Sequence, residues 1–173
     1  MSGADLAVSR AAPEEAPIVA NLMQFYIHDF SELWFDRAIE GELEPDGRFS
    51  DYPGLDAYWS DPTREAWLFR IKGRPVGFAL VNDVAHSRTP VDRAVAEFFI
   101  VRKHRRRGVG LAAAHALFGT AWGVWEAAVV RRNVGALAFW RRAAQSYPGV
   151  RDVVEEDHDD ALWNGAILRF RVG

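Results

Sequence analysis

Apolar residues along this 173-residue chain fall into short runs that switch between a two-residue and a 3.6-residue period, and each switch marks a change of element. Leu6 to Arg10 alternates like a strand. Pro13-Glu14-Glu15 then places a proline and two acids in a first helical turn, where both are favoured. Ile18, Leu22, Phe25 and Tyr26 recur behind it at helical spacing, predicting a helix that buries that face. Gly41 to Gly54 is polar and punctuated by proline and glycine, and Leu55 to Ser60 reads as a short second helix. Ala66 to Ile71 and Pro75 to Asn82 are strand-like, and Lys72-Gly73-Arg74 joins them as a hairpin. Ala94 to Val101 is another strand. From Gly108 to Ala121 the chain is alanine-rich, with Leu111, Ala114, Leu117, Phe118 and Ala121 on one helical stripe. Trp125 to Val130 returns as a strand, Asn133 to Ala144 as a second crossover helix, and Val150 to Glu155 with Ala166 to Val172 supply two last strands.

The succession contains no internal repeat and no linker, which predicts a single domain over residues 1–173. The fold class is mixed α/β: a central, mostly antiparallel twisted sheet of about six to seven strands flanked by about four helices. A strand–helix–strand passage through residues 94–130 requires one parallel pair within that sheet.

Composition narrows the function classes. With 49% hydrophobic residues, the chain can bury a sizeable core and is not a disordered tail. Cysteine is absent, which excludes disulfides, thiolate metal ligands and a cysteine nucleophile. The first twelve residues lack a basic stretch followed by an apolar one, and no apolar run approaches the roughly 20 residues of a membrane span. The expectation is a soluble protein of the reducing cytoplasm.

Charge is unevenly placed. Between Ile100 and Arg142 nine bases face one acid, Glu126, a segment charge of +8. The formal total is −3, so the remainder carries −3 − 8 = −11. Ten acids lie between Asp29 and Asp61, and six between Asp152 and Asp160. The negative total argues against a dedicated nucleic-acid or membrane binder and leaves the basic segment as either a solvated face or a local anion site, which its neighbouring residues decide.

The passage from strand to helix reads Phe98-Phe99-Ile100-Val101-Arg102-Lys103-His104-Arg105-Arg106-Arg107-Gly108-Val109-Gly110. Gly108 and Gly110 permit left-handed backbone angles and leave room for a ligand against the main chain. The amides that open the following helix are unpaired, and they donate to an anion at the positive end of the helix dipole. Arg105, Arg106 and Arg107 add charge. No Gly-Lys-[Ser/Thr] follows, so this is not a nucleotide P-loop, and the Gly-x-Gly-x-x-Gly of a dinucleotide fold is absent.

This stretch resembles the fourth strand and pyrophosphate loop of the GNAT superfamily of acyl-CoA-dependent N-acyltransferases. Asn133-Val134-Gly135-Ala136-Leu137-Ala138-Phe139-Trp140 resembles that family's later Asn-x-x-Ala-x-x-aromatic-Tyr helix. Nearly the whole chain follows the family's order of elements, with the first 60 residues alike only in pattern. The resemblance implies acetyl-CoA as cosubstrate without a metal, a primary amine as acceptor, and direct transfer within a ternary complex. It also implies that main-chain groups of Phe99, Ile100 and Val101 pair with the pantetheine arm, that the amides from Arg105 through Gly110, Val109 included, hold the pyrophosphate, and that Asn133 contacts the pantetheine or a bound water.

An alkylammonium has a pKa of roughly 10, so attack by the neutral amine needs a nearby proton acceptor. Glu97 is the candidate, on the strand expected beside the pantetheine and on the same face as Phe99 and Val101. Where the family often has a tyrosine that protonates the departing thiolate, this chain has Trp140, whose indole N–H donates a hydrogen bond but not a proton. That substitution raises an alternative, a catalytically weak acyl-CoA-binding or sensor module of the same fold. The five histidines are scattered and read as surface or packing residues. The acidic segments form an expected rim for a cationic small-molecule or peptide amine, with aromatics such as Trp34, Phe35, Tyr52, Tyr58, Trp59 and Trp163 as wall residues. Oligomeric state is open, a homodimer included.

Overall fold

Strand alternation and helix periodicity resolve into a mixed α/β domain in the computed structural model, which describes residues 5–33 and 41–173. Along the chain run β1 (Leu6–Arg10), α1 (Ala16–Ser31), α2 (Ala57–Ser60), β2 (Glu65–Ile71), β3 (Arg74–Asn82), β4 (Arg93–Ile100), α3 (Val109–Phe118), β5 (Gly123–Val130), α4 (Val134–Ser146), β6 (Val150–Asp159) and β7 (Asn164–Val172). The strands form one seven-stranded sheet in the order β1-β2-β3-β4-β5-β7-β6. Every neighbouring pair is antiparallel except β4 and β5, which α3 joins as the crossover a parallel pair requires.

Side-chain alternation divides the core between the two faces of the sheet. On one face Ile100, Trp125, Leu168 and Phe170 pack under α3 and α4, and Ala113, Ala114, Ala143 and Ala144 let both helices close on the strands. On the other face Leu68, Phe78, Leu80 and Phe99 pack under α1 and α2. The buried stripe of α1 is Val19, Leu22 and Met23, while Phe25, expected inside, is 61% exposed. Rotating the stripe by one residue keeps Leu22 inside and turns Tyr26 toward β4. β6 runs past its expected end at Glu155 to Asp159 because it pairs with β7 along that length. Trp34 and Phe35 lie outside the described residues. Among the described residues no helix is long and apolar enough to cross a membrane.

Two irregularities prepare a site. Register slips between β3 and β4 at Leu80/Val81 leave Ala96 as an extra residue on β4, a bulge that bends the strand. The β4–β5 ladder covers only Arg93↔Trp125, Ala94↔Glu126 and Val95↔Ala127, although the strands continue to Ile100 and Val130. Beyond Val95 and Ala127 the two strands part.

Candidate active site

Opening the sheet between β4 and β5 leaves main-chain groups of β4 without a strand partner, and the register with β3 identifies them. Val101 donates its N–H to the Val76 carbonyl at 2.9 Å and its carbonyl accepts from His104 N–H. Hydrogen-bonded and non-hydrogen-bonded pairs alternate along an antiparallel ladder, so Phe99, opposite Phe78, also bonds to β3, whereas Ile100 and Phe98 turn their groups toward the gap. The Ile100 carbonyl indeed faces away from β3, accepting Arg105 Nε at 2.6 Å. This corrects the expectation that Phe99, Ile100 and Val101 all present main-chain groups there: Ile100 does, Phe99 and Val101 do not, and Phe98 joins it. The bulge carries no sequence signal that would have fixed the parity.

At the end of β4 the chain makes a 3₁₀ turn over Arg102–His104 and enters α3 through Gly108. Gly108 has φ 79°, and a Cβ built on it meets nothing within 4 Å, so glycine is required here for backbone conformation over open space. The first backbone bond of the helix runs from Ala112 N–H to the Gly108 carbonyl, which leaves the amides of Val109, Gly110 and Leu111 at the outward end. Gly110 does a different job from the one expected. It is helical, and its Cβ would come within 3.3 Å of Phe139, so its small size lets α4 pack against α3. The arginines also divide. Arg105 bonds to Asp29 on α1, Arg102 bonds to the same carboxylate, and the Arg105 guanidinium covers the Phe99 ring at 5.2 Å. Burial alone would raise the Asp29 carboxyl, but the Arg105 and Arg102 hydrogen bonds hold it below the usual value. Arg106 and Arg107 are exposed, and among the described residues neither is in an ion pair.

A cavity of about 760 Å³ runs from the strand gap to the α1 side of the sheet. Ala96, Glu97 and Phe98 form one wall, and Ala128, Val129, Asn133, Ala136 and Trp140 the opposite one. Glu97 projects onto the α1 face, where Tyr26 OH donates to its Oε2 and Tyr52 OH to its Oε1, the latter at 2.9 Å. Burial pushes the Glu97 carboxyl up, the two phenol hydrogen bonds oppose it, and the net shift is upward. Both phenols are pushed above their ordinary range, by burial first and then by the Glu97 charge. They hold their protons and orient the carboxylate. Gln24 pins the Tyr52 segment by bonding both the Phe49 N–H and its carbonyl. Asn133 caps α4 by accepting Ala136 N–H at 3.1 Å. Trp140 is 6% exposed and packs against Phe98, Phe118 and Phe139.

The fold also brings residues to this cavity that the sequence reading passed over. His86, from the loop between β3 and β4, lines it beside Trp163, their ring centroids 4.4 Å apart. Glu126, the lone acid of the basic segment, is 1% exposed on β5 and anchors that loop. The acidic segment of β6 is largely paired: Glu155 with Arg141, Asp157 with Arg131 and Asp160 with Arg88.

The family model described as the Acetyltransferase (GNAT) family matches residues 21–144. No curated protein matches the sequence. Among solved structures the chain is similar to an acetyltransferase from Thermus thermophilus, at 20% identity, covering 99% of this chain and 98% of that one with a TM-score of 0.63. It is similar to a GNAT-family acetyltransferase from Staphylococcus aureus, at 11% identity, 97% and 99% coverage and a TM-score of 0.61. It is also similar to the PaiA N-acetyltransferase of Thermoplasma acidophilum in complex with coenzyme A, at 12% identity, 98% coverage of both chains and a TM-score of 0.56.

Proposed function

Because this chain belongs to the GNAT acetyltransferase family, we propose that it transfers an acetyl group from acetyl-CoA to the nitrogen of a primary amine by direct attack in a ternary complex. The observation that carries this reading is the parting of β4 and β5 beyond Val95 and Ala127 into a cavity that holds a half-buried carboxylate, Glu97. The residues at the gap fit coenzyme A. Gly108 leaves open space in front of the first amides of α3, and Arg106 and Arg107 flank it, a combination suited to a diphosphate. The main-chain groups of Phe98 and the N–H of Ile100 are available to an extended amide-bearing arm as they would be to a β-strand, the Ile100 carbonyl being held by Arg105. Asn133 retains its side-chain N–H₂ for the same arm, its oxygen being the α4 cap. When bound, acetyl-CoA supplies the activated acyl group.

Three tasks fall to the protein. The Phe98 or Ile100 amide lies where it can donate to the thioester oxygen as negative charge develops, an oxyanion-type contact. Glu97 accepts the proton that the ammonium must lose, and its raised proton affinity suits that role. Tyr26 and Tyr52 fix the carboxylate's direction through the bonds they donate. Trp140 is a wall residue; the second proton that the nitrogen sheds as the amide forms passes to water, and the departing thiolate, with a free pKa of roughly 8.5, takes its proton from water.

The test is calorimetric binding of acetyl-CoA followed by thiol release against a panel of primary amines. Heat on acetyl-CoA titration with amine-dependent thiol release is expected. Binding with no release from any amine favours the sensor reading, which the absence of an acidic side chain at Trp140 supports; no binding overturns both.

A further inference from the structure

Glu126 lies in the middle of β5, opposite Ala94 on β4 and Arg169 on β7. Its carboxylate is 1% exposed, yet its oxygens bond to the β3–β4 loop: His86 N–H at 2.6 Å and Ser87 Oγ at 2.5 Å. Arg169 pins the same loop from the neighbouring strand, donating to the Pro90 carbonyl at 3.2 Å. Burying a carboxylate in the sheet costs several kcal/mol unless it is compensated, and a loop needs no such anchor merely to close a turn. What the anchor fixes is a ring. His86 Nδ1 lies 3.8 Å from Glu126 Oε1, the ring leans on Trp163, and it lines the cavity that also contains Glu97. A carboxylate on the Nδ1 side of a neutral imidazole favours the proton there and leaves Nε2 as a lone-pair acceptor.

We propose that His86 contacts the acceptor in this cavity, its Nε2 lone pair taking an N–H of the amine while Glu97 faces the same nitrogen, and that Glu126 is the positioning residue that sets the imidazole tautomer. This rests on the amine-transfer reading above. Burial pushes the Glu126 carboxyl up, but bonds from His86 and Ser87 hold it below its ordinary value, which keeps the charge the tautomer needs. Glu97 then takes one proton of the ammonium, and the N–H bonded to His86 Nε2 fixes how the freed lone pair is oriented for attack.

The experiment has two readouts. In protein labelled with nitrogen-15 in its histidines, at about pH 8.5 where imidazoles are ordinarily neutral, the His86 ring signals, assigned by their loss in His86→Phe, are expected to show Nδ1 protonated and Nε2 bare. Glu126→Gln is expected to move the population toward the Nε2–H form. A wild-type ring with Nε2 protonated, or one that Glu126→Gln leaves unchanged, overturns the positioning role. With benzylamine as acceptor, His86→Phe, which keeps a ring against Trp163, is expected to raise the amine KM by about tenfold, the scale of one lost hydrogen bond, with the acetyl-CoA-induced rise in Tm intact. His86→Gln restores part of the loss, and Glu126→Gln adds nothing in the His86→Phe background. A benzylamine KM within about twofold of wild type in His86→Phe overturns the contact. If acetyl-CoA fails to raise the Tm of wild type, the transferase reading fails, and the tautomer measurement still decides whether Glu126 orients His86.

Discussion

Replacing Gly108 with Asn and, separately, with Asp separates charge from backbone strain at the proposed diphosphate site. Gly108 sits at φ 79°, ψ −7°, a region that costs an L-residue about 1 to 2 kcal/mol and that Asn and Asp tolerate best. A Cβ there meets nothing within 4 Å, so neither variant clashes. Each loses about 1 kcal/mol of stability, a fall in Tm of about 2 to 4 °C for a domain of this size. Asp alone adds a negative charge in front of the first α3 amides. At about 6 Å from a phosphate charge and an effective dielectric of about 25, the repulsion is about 2 kcal/mol, or about thirtyfold in Kd. Isothermal titration with acetyl-CoA reads this directly. The Asn variant is expected within about threefold of wild type and the Asp variant about thirtyfold weaker or more, the gap narrowing with salt. Equal affinity of the two variants would falsify the anion cradle, because nothing but the charge distinguishes them.

Glu97→Gln is expected to lower kcat for amine acetylation by about a hundredfold with acetyl-CoA affinity unchanged; kinetics within threefold of wild type across pH remove Glu97 from the base role. Glu97 has a raised carboxyl in the folded state, so its contribution favours folding at acid pH and is lost as pH rises from the ordinary carboxylate range through the raised value; Glu97→Gln therefore has a Tm no lower than wild type at neutral pH, and a lower one contradicts the shift. Trp140→Phe keeps the packing against Phe98 and Phe118 and leaves kcat within about threefold, whereas a hundredfold loss makes the indole N–H a required donor. Asp29→Asn releases Arg105 and Arg102; since the Asp29 carboxyl is lowered in the folded state, its contribution is present above the ordinary carboxylate range and lost as pH falls through the lowered value, so the variant is about 1 kcal/mol less stable at neutral pH and converges on wild type in acid, and a constant gap across pH refutes the pairing. Since Glu42 and Asp51 line the cavity beside Glu97, 1,4-diaminobutane is expected to exceed butylamine in kcat/KM by about threefold or more at low salt, the gap closing by about 0.3 M; equal values at low salt remove those acids from acceptor selection.

What the sequence made legible is whatever depends on spacing. The two-residue and 3.6-residue periods place the strands and helices, and Gly108 falls between β4 and α3 because a left-handed residue is needed where the chain turns into the helix. The parallel pair follows from one strand–helix–strand passage. What depends on register was out of reach. The bulge at Ala96 sets which alternate residues of β4 face the gap, and no local pattern announces one extra residue. Tyr52 lies in a punctuated, non-periodic stretch, and only the packing of α1 against β4 brings its hydroxyl to Glu97. Phe25 and Val19 exchange places because Ile18, Leu22 and Phe25 form as good a helical stripe as Val19, Leu22 and Met23, and burial of one or the other is decided by the sheet. His86 and Glu126 are 40 residues apart and meet through the β4–β5 pairing.

The pairing of the two charge poles decides where preference for a cation can reside. Arg141, Arg131 and Arg88 sit on the acids of β6 and its following turn, and Arg102 and Arg105 sit on Asp29. Exposed pairs of this kind add little to stability, yet each cancels a charge that would otherwise steer a distant ligand. Part of the sequence-level field of +8 against −11 is thus cancelled locally by these pairs. On the basic side Arg106 and Arg107 stay unpaired among the described residues, beside the open turn at Gly108. Within the cavity the Glu97 carboxylate is held by two phenols rather than by a cation. In the proposed transfer an acceptor meets Glu97 together with Glu42 and Asp51 on the cavity lining, beside Tyr52, Phe49 and Trp163, so selection of a cation rests on those three carboxylates and not on the arginine-paired acids of β6.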